Sequence, residues 1–421
     1  MANKKSLAPL PLFDTLEHQK KEPPSSLPDF AYALDFLQSY NKNLPTYNAY
    51  RREIERFLQW CWRIKNQTVC TLNQVDIEEF IKFCMHPPLS WIGTKNVSRF
   101  IKASSKKNKK TTPAVLEDST SATLRVPNPE WRPFVVNVSK AAWRTGERPN
   151  PKQFAASQAS LKSIFAILSS FYDFLIQKKH TTTNPIHLMK QKNAYVYQQQ
   201  THSAIRRLSE LQWTYVLETG ELMAKENKKH ERTLFIMTIL YGMYLRISEL
   251  TARATPQGVW TPKMGDFYQE EGLWWFRVLG KRNKIRDISV SDAVLKALKR
   301  YRRSLDLTVL PSSADPLPLI TTYGGKEAIT STKQIRQIVQ RCFDKTIERL
   351  KEDGFEEDAD NLMQATVHWL RHTGISDDVK HRPREHVRDD AGHSSSAITD
   401  KYIDIEKRDR HASAKKKKLK G

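Results

Sequence analysis

Several histidines and arginines in the second half of the chain are spaced so that they could activate a tyrosine. His368 and Arg371 stand three positions apart in HWLRHT, so a helix would place them on one face. Further along, the stretch AGHSSSAITDKYID places Tyr402 nine positions after His393. Tyrosine has an ordinary pKa of about 10 and is a poor nucleophile at neutral pH unless neighbouring groups activate it. Tyr402 is therefore either an ordinary packed aromatic or a nucleophile that other residues of the chain activate.

Two upstream segments add cations to this set. Arg246 lies in YLRISEL, inside an apolar run that predicts a buried helix, and Lys281 begins the turn of LGKRNKI. Each also has a structural interpretation. Arg246 could pair with Glu249, three residues on, and Lys281 and Lys284 could be solvated turn lysines. Taken one at a time, these residues do not decide the function.

Taken together, the order of these residues resembles the tyrosine recombinase family, of the phage integrase type. His393 stands 22 residues after Arg371, Tyr402 follows nine residues later, and R-I-S-E-L precedes them all. The resemblance covers roughly residues 209 to 405. The helical pattern at 46 to 180 is similar to the family's N-terminal core-binding domain.

The resemblance implies a role for each residue. Arg246 and Arg371 would clamp the non-bridging oxygens of a DNA phosphodiester, where negative charge grows during attack. His368 would accept the phenolic proton of Tyr402 or hydrogen-bond the phosphate, and His393 would donate a further hydrogen bond to the phosphate. Tyr402 would form a covalent 3′-phosphotyrosine bond, which conserves the energy of the phosphodiester.

The departing 5′-oxygen needs a proton, which the family takes from a lysine in a hairpin. Lys281, directly after Gly280, matches that position best, and Lys284 is the alternative. Glu249 matches an acidic position that supports the site in the family. No cofactor is expected, neither ATP nor a metal ion, and the sequence has no G-x-x-x-x-G-K-[ST] motif or convincing carboxylate cluster for Mg²⁺.

Two departures from the family pattern stand close to the arginines. The family usually has glycine two residues before the first arginine, where this chain has Tyr244. After HWLRHT the family commonly continues with an apolar helix, whereas GISDDVKHRPREHVRDDA is polar and contains Pro383. We expect these departures to alter local packing more than the chemistry.

The segments that carry these residues are predicted to be mostly helical. Apolar periodicity predicts a mainly α protein, with a helical N-terminal core-binding domain and a mostly helical C-terminal catalytic domain that carries a small antiparallel β-sheet. Two strand-forming runs flank GKRNK, which predicts a hairpin with a basic tip, and helices are predicted over 331–351 and 359–371. The predicted helix caps are Thr71 or Asn73, Ser209 with Gln212, and Ser291.

Shifts in composition predict the domain organisation. The predicted segments are a flexible lead (1–28), a core-binding domain (29–188) with a basic, loop-like insertion (about 102–152), a polar linker (189–207), the catalytic domain (208–411) and a Lys-rich tail (412–421). Residues 403–411 could dock on a neighbouring protomer, and the tail could add nonspecific affinity for phosphates.

The charge of the chain favours a polyanionic partner. Lys and Arg number 69 against 46 Asp and Glu, which gives a net charge of +23. Nucleic acid is the first candidate, because each neutralised phosphate releases condensed counterions, and a membrane surface is the second. No segment is expected to span a membrane, and the N-terminus lacks the pattern of a secretory signal. The four cysteines are expected to be free thiols, since a zinc site at Cys70, Cys84 and His86 would lack a fourth ligand.

The predicted function is that of a site-specific DNA recombinase, the integrase or transposase of a mobile element. Its expected partners are double-stranded recombination sites and three further copies of itself in a tetramer on DNA, in the cytoplasm of a bacterial, archaeal or viral system. The alternatives are a type IB topoisomerase, which uses a similar residue set, and a non-catalytic DNA-binding regulator. The candidate DNA contacts, each of which could instead be a solvated charge, are Arg51, Arg52, Lys162, Arg206 and Arg207.

Overall fold

The computed structural model divides the chain into two compact units, residues 1–200 and 201–421. The structure describes residues 9–13, 26–102, 125–187, 206–255, 258–280, 283–322, 327–400, 402 and 414–415. The division falls inside the stretch that the sequence predicts as a linker, and most of that stretch lies outside the described residues. The predicted Lys-rich tail also lies outside them, apart from residues 414–415.

The first unit is built on helices around an aromatic core. Its described helices, α1 to α5, are Ser26–Gln38, Leu44–Trp60, Gln74–Met85, Lys140–Arg144 and Gln158–Gln177. Asn73 caps α3, because its side chain accepts the amides of Val75 and Asp76 while Asp76 accepts the amide of Asn73. Of the two caps that the sequence allows for this helix, Asn73 is therefore the one used.

Helix α5 contributes one long buried face to this core. Leu161, Leu168 and Leu175 recur along its buried face, and Tyr172 donates its hydroxyl to the carbonyl of Val69 at 2.9 Å. By length and composition alone, α5 is also long and apolar enough to cross a membrane. The prediction that no segment approaches a membrane span was therefore wrong by that criterion, which a buried core helix also meets.

Part of the segment predicted as a loop-like insertion is ordered and packed. Within it the described residues form helix α4 and strands β3 and β4, and strands β1 to β4 are Ile92–Gly93, Phe100–Lys102, Arg125–Pro127 and Phe134–Val135. Strands β1 and β4 pair in parallel, and β2 and β3 pair antiparallel. Phe134 is buried against Phe83 and Phe154, with ring centroids 6.0 Å and 5.4 Å away. The loop interpretation is wrong for these residues, because short apolar stretches among polar ones complete the core.

A short part of the predicted flexible lead is also held in place. Leu12 and Phe13 are buried in the core of the first unit. The amide of Leu12 donates to Oε1 of Glu55 at 2.5 Å, and Gln59 donates to the carbonyl of Leu10 at 2.8 Å. Residues 9–13 therefore belong to the first unit, which corrects the prediction for this stretch.

The second unit combines helices with a three-stranded sheet. Its described helices, α6 to α13, are Glu210–Glu226, Glu231–Gly242, Asp292–Ser304, Thr332–Glu352, Glu356–Met363, Val367–Asp378, Arg384–Ala391 and Ser396–Asp400. Ser209 and Gln212 form the predicted capping box of α6, and Ser291 caps α8. The two units together confirm the predicted mainly α fold class.

The predicted hairpin around GKRNK is present. Strands β5 to β9 are Arg253–Thr255, Gly258–Trp260, Phe267–Glu270, Leu273–Leu279 and Ile285–Ser289. Strands β7, β8 and β9 form one antiparallel sheet in that order, with Leu279 opposite Ile285 at the turn. A separate antiparallel pair, β5 and β6, precedes this sheet.

Two predicted helices end earlier than their apolar patterns suggest. The helix predicted over 359–371 is two helices, α10 and α11, separated by residues 364–366. The helix predicted to contain Arg246 ends at Gly242, because Tyr244 adopts a left-handed backbone with φ of 50°. Arg246 then follows in an extended conformation, at the start of a short turn over Ile247–Glu249.

In the described part of the chain, the cysteines form neither a disulfide bond nor a metal site. Cys61, Cys84 and Cys342 are buried, Cys70 is partly buried, and all of them are free, as predicted. Among the described residues, no group of three or more His, Cys, Asp or Glu is placed to hold a metal ion.

Candidate active site

Tyr402 lies buried between two histidines of the second unit. It follows helix α13, where its amide donates to the carbonyl of Thr399 at 2.9 Å, and only 9% of the residue is exposed. Its hydroxyl lies 2.7 Å from Nδ1 of His372, and the ring of His393 stacks on it at 5.7 Å between centroids. The phenol is thus presented directly to an imidazole nitrogen.

Arg371 lies buried in the same site, next to His393. It comes from α11, and its guanidinium donates to the backbone carbonyls of Tyr244 and Ala391, the latter at 2.7 Å. Nε2 of His393 lies 3.2 Å from the same guanidinium. Burial lowers the pKa of Arg371, as does the positive charge of Arg246. A guanidinium nevertheless stays charged in proteins, and the two carbonyls leave its charge unneutralised.

Arg246 is fixed by one carboxylate and one carbonyl. Its guanidinium donates to Glu249 at 3.2 Å and to the carbonyl of Gly392 at 3.1 Å, and its amide donates to Glu249 at 2.8 Å. The ion pair with Glu249 that the sequence allowed as a structural role is therefore present. Arg246 also lies next to Arg371 and His393, because residues 391–393 contact both arginines.

Glu249 is buried and shared with a second arginine. Arg286, on strand β9, donates to both of its carboxylate oxygens at 2.9 Å and to the carbonyl of Asp390 at 3.1 Å. Burial would raise the pKa of Glu249, but the hydrogen bonds and charges of Arg286 and Arg246 outweigh it and hold the pKa below its ordinary value. The carboxylate is therefore ionised at neutral pH, and it ties the hairpin to the turn that carries Arg246.

The surroundings keep both histidines neutral. Burial and the neighbouring Arg371 lower the pKa of His372 to about 4, and burial with Arg371 and Arg246 lowers that of His393 to about 4. A neutral His372 can accept a hydrogen bond from Tyr402. Burial raises the pKa of Tyr402 above its ordinary value, although the positive charges of Arg371 and Arg246 oppose this shift. The phenol is thus protonated at rest, next to a nitrogen that can take its proton.

Residues 212–409 match the phage integrase family. The second unit is a tyrosine recombinase domain. No curated protein matches the sequence. A solved structure of the XerH site-specific recombinase bound to palindromic difH substrate, in a post-cleavage complex, matches with a TM-score of 0.54 at 15% identity. The match covers 90% of this chain and 81% of that one, and at this identity the likeness shows a shared fold.

Two further solved structures resemble the chain more loosely. A lambda integrase dimer bound to a COC′ core site matches with a TM-score of 0.45 at 14% identity, over 92% of this chain and 79% of that one. The Tn1549 transposon integrase, in complex with circular intermediate DNA, matches with a TM-score of 0.38 at 17% identity, over 65% of this chain and 81% of that one.

The recombinase domain brings most of the predicted site residues together, but His368 is displaced from the tyrosine. Arg246, Arg371, His393 and Tyr402 meet through the contacts described above. His368 lies at the start of α11 with an exposed side chain. In the part of the chain that the structure describes, His372 rather than His368 hydrogen-bonds the hydroxyl of Tyr402.

The hairpin lysines of the recombinase domain are only partly described. Lys281 lies outside the described residues. Lys284 is exposed, and its backbone carbonyl accepts the amide of Gly280 at 2.7 Å, which closes the turn between β8 and β9. Arg253 donates to the carbonyl of Gly280 at 3.0 Å and so fixes the base of this turn.

The candidate DNA contacts are divided between the two units. In the first unit, Arg52 is exposed and lines a cavity of about 730 Å³ with Ser160 and Ser163 of α5. Arg51 lies over the ring of Tyr47 at 5.5 Å from its centroid, and Lys162 is exposed. In the second unit, Arg206 is exposed and Arg207 lies 3.9 Å from Asp377.

Sequence reasoning missed two residues of the recombinase site. His372 directly follows Arg371 in HWLRHT, and a second histidine one turn after His368 was a readable signal. Arg286 stands in the strand-forming run KIRDISV, where nothing in its spacing distinguishes it from other basic residues. Its role depends on a buried carboxylate that is 37 residues away in the chain.

Proposed function

We propose that this recombinase cuts and rejoins double-stranded DNA at specific sites as the integrase or transposase of a mobile element, through a covalent 3′-phosphotyrosine at Tyr402. One observation carries the proposal. The hydroxyl of Tyr402 lies 2.7 Å from Nδ1 of His372, beside two arginines whose contacts leave positive charge for a phosphate.

The proposed cleavage step is a transfer of the phosphoryl group from one oxygen to another. Nδ1 of His372 accepts the phenolic proton as Oη of Tyr402 forms a bond to the scissile phosphorus. The bond from phosphorus to the 5′-oxygen breaks, and that oxygen takes a proton from Lys281 or Lys284. Rejoining reverses these steps with a 5′-hydroxyl of another strand, so the bond energy is retained and no ATP is consumed. His372 takes the role that the sequence pattern offered to His368, which leaves His368 the alternative role of a phosphate contact.

The positive charge that remains in the site would stabilise the negative charge of the transition state. Arg286 and Arg246 share the one negative charge of Glu249, so these three side chains together keep a positive charge. Arg371 contacts carbonyls and a neutral imidazole. Arg371 and Arg246 are thus left to bind the non-bridging oxygens, where charge develops. The positions of these donors are set before DNA arrives, so little reorganisation is required during the reaction.

Duplex DNA is the proposed partner of both units. The net charge of +23 supports binding to a polyanion, and exposed Arg52 and Lys162 lie on helices α2 and α5 of the first unit. The solved structures that resemble this chain include recombinases bound to DNA recombination sites. A tetramer that joins two duplexes, and a cytoplasmic location where chromosomal DNA is accessible, complete the proposal.

A nicked duplex taken from the DNA that flanks the coding sequence tests this function. The nick lets the short fragment that carries the freed 5′-hydroxyl dissociate after attack, so the covalent adduct accumulates and a denaturing gel detects it. We expect the full-length protein to form the adduct and Tyr402→Phe to form none while still shifting the duplex in a native gel. An adduct that persists in Tyr402→Phe would contradict the assignment of the nucleophile.

The alternatives give different results in the same experiments. A type IB topoisomerase would relax a supercoiled plasmid that carries these flanking sequences without exchanging strands. A non-catalytic regulator would bind the nicked duplex and form no adduct with the unmodified protein.

A further inference from the structure

Tyr244 occupies a position where its side chain and its backbone serve different parts of the site. The residue is fully buried, and its φ of 50° is one that a bulky side chain rarely adopts. Its carbonyl accepts a hydrogen bond from the guanidinium of Arg371. A backbone in this uncommon conformation persists only where its surroundings hold it.

The hydroxyl of Tyr244 contacts the last residue of α11 and the polar segment that follows this helix. It donates to Oδ2 of Asp378 and accepts from Nη1 of Arg382 at 2.9 Å. Asp378 closes the helix that carries Arg371 and His372. The left-handed turn before Arg246 and the end of the Arg371 helix are thus joined through one buried hydroxyl.

Arg382 extends this connection to the remaining parts of the site. Its Nη2 donates to Asp390 at 2.7 Å and to Ser289 at 3.1 Å, and Ser289 donates from its amide and its hydroxyl to the same carboxylate, at 3.1 Å and 2.6 Å. Asp390 precedes the Ala391 carbonyl that Arg371 contacts, and Ser289 lies on the strand that carries Arg286.

We infer that Tyr244 is a positioning residue for Arg371. Its hydroxyl bonds Asp378 and Arg382, and Arg382 in turn bonds Asp390 and Ser289. These bonds hold four segments of the site in one arrangement. The segments are those that supply Arg246, Arg286, Arg371 and His393. This inference explains both departures from the family pattern together, since the tyrosine at the usual glycine position requires polar partners from the unusually polar segment after HWLRHT. It rests on the proposed function, because its consequence is the placement of a phosphate-binding arginine.

The variant Tyr244→Phe removes the hydroxyl and keeps the ring. Asp378 and Arg382 are each about one-third exposed, so water can replace the lost bonds and the fold should survive. Tyr241→Phe is the matched control. Tyr241 lies on the preceding helix turn and donates its hydroxyl to Asp377 at 2.9 Å, outside the contacts of Arg371. Both variants remove one tyrosine hydroxyl from an aspartate of the same helix.

The measurement is the single-turnover rate of adduct formation with the nicked duplex. The duplex is prepared in two forms, which differ in the chemical group at the cleavage position. One is the ordinary phosphodiester and the other a methylphosphonate, in which a methyl group replaces one charged non-bridging oxygen. We expect Tyr244→Phe to lower the rate on the phosphodiester by about tenfold or more, since small misplacement of a catalytic group is costly. On the uncharged methylphosphonate, which depends less on Arg371, the loss should shrink to about threefold or less.

The outcomes separate the possible failures. Absence of an adduct with the unmodified protein would refute the proposed function itself. Normal cleavage by Tyr244→Phe, or an equal loss on both substrates, would overturn the positioning role while leaving the function intact. Should Tyr244→Phe fail to fold, Arg382→Gln tests the same connection from a partly exposed residue, and the same dependence on the scissile group is expected.

Discussion

Nδ1 of His372 lies 2.7 Å from the hydroxyl oxygen of Tyr402, while the side chain of His368, one helical turn earlier, is exposed. The two histidines belong to one motif, yet they have different surroundings. His372 is enclosed with Arg371 and Tyr402, and its imidazole is neutral because burial and the adjacent cation disfavour its protonation. This contact supports the proposal that the histidine directly after Arg371 accepts the proton of Tyr402.

The first prediction separates the two histidines. His372→Ala should lower the single-turnover rate of adduct formation by about 100-fold or more, the usual contribution of a general base. His368→Ala is the matched control on the same helix and should cause a clearly smaller loss, because its ring does not contact Tyr402. A quench assay with the nicked duplex measures both rates. Equal losses, or a larger loss for His368→Ala, would return the base to His368.

The second prediction identifies the general acid of the hairpin. Replacement of the bridging 5′-oxygen by sulfur creates a leaving group that departs without a proton, because a thiol is far more acidic than an alcohol. Lys281→Ala should be defective on the ordinary duplex and recover most of its rate on the sulfur-containing one. Lys284→Ala should show little defect on either substrate. The reverse pattern would assign the acid to Lys284.

The third prediction concerns the buried carboxylate under the arginines. Glu249→Gln removes a charge that Arg286 and Arg246 share, and breaking a buried pair usually costs about 3 kcal/mol or more. The free energy of unfolding in urea, followed by circular dichroism, should fall by this order. Glu226→Gln is the control, because its pair with Lys345 is exposed and such pairs contribute less than about 1 kcal/mol. Similar values for the two variants would contradict the role assigned to Glu249.

The fourth prediction follows from the lowered pKa of His372 and His393. Each has a folded pKa of about 4, whereas an unfolded imidazole has a pKa of about 6.5. Between these values the unfolded chain binds more protons, so stability is present above pH 6.5 and is lost as the pH falls towards 4.

Lowering the pH from 7 to 5 should therefore reduce the free energy of unfolding by about 1 kcal/mol for each of the two histidines, given their partial exposure. Urea unfolding at the two pH values measures the difference. His372→Gln should lose less stability over this interval than the unmodified protein. An imidazole NMR signal of His372 that titrates near its ordinary value would contradict the prediction.

The fifth prediction tests the close contact between α7 and α11. A Cβ atom at Gly374 would lie 2.1 Å from the carbonyl oxygen of Tyr241, which is backbone and cannot move aside. Gly374→Ala should therefore destabilise the protein by about 1–3 kcal/mol, although alanine is the better helix former by about 1 kcal/mol. At Gly220 the nearest atom is Cε of Met237, 2.9 Å away on a flexible side chain, so Gly220→Ala should cost less. Thermal unfolding compares the two, and an equal effect would contradict the backbone clash.

The architecture was largely readable from local signals. Helix caps at Asn73, Ser209 and Ser291 and the hairpin around GKRNK follow from residue types within a few positions of each other. The misassigned stretches were those where distant contacts decide. Phe134 lies in a short apolar run between polar segments, and partners elsewhere in the first unit bury it. Tyr244 ends a helix that its apolar neighbours would have continued.

The order and spacing of Arg246, Arg371, His393 and Tyr402 are specific enough to indicate the segments of the proposed site and its chemistry. Only the packing of the folded chain fixes which neighbours contact these residues. His368 and His372 share one helix face, and a separation of about 6 Å along the axis determines which one reaches Tyr402. The partners of Tyr244 and Glu249 could not be predicted either, because hydrogen bonds between residues far apart in the chain produce no pattern in the sequence.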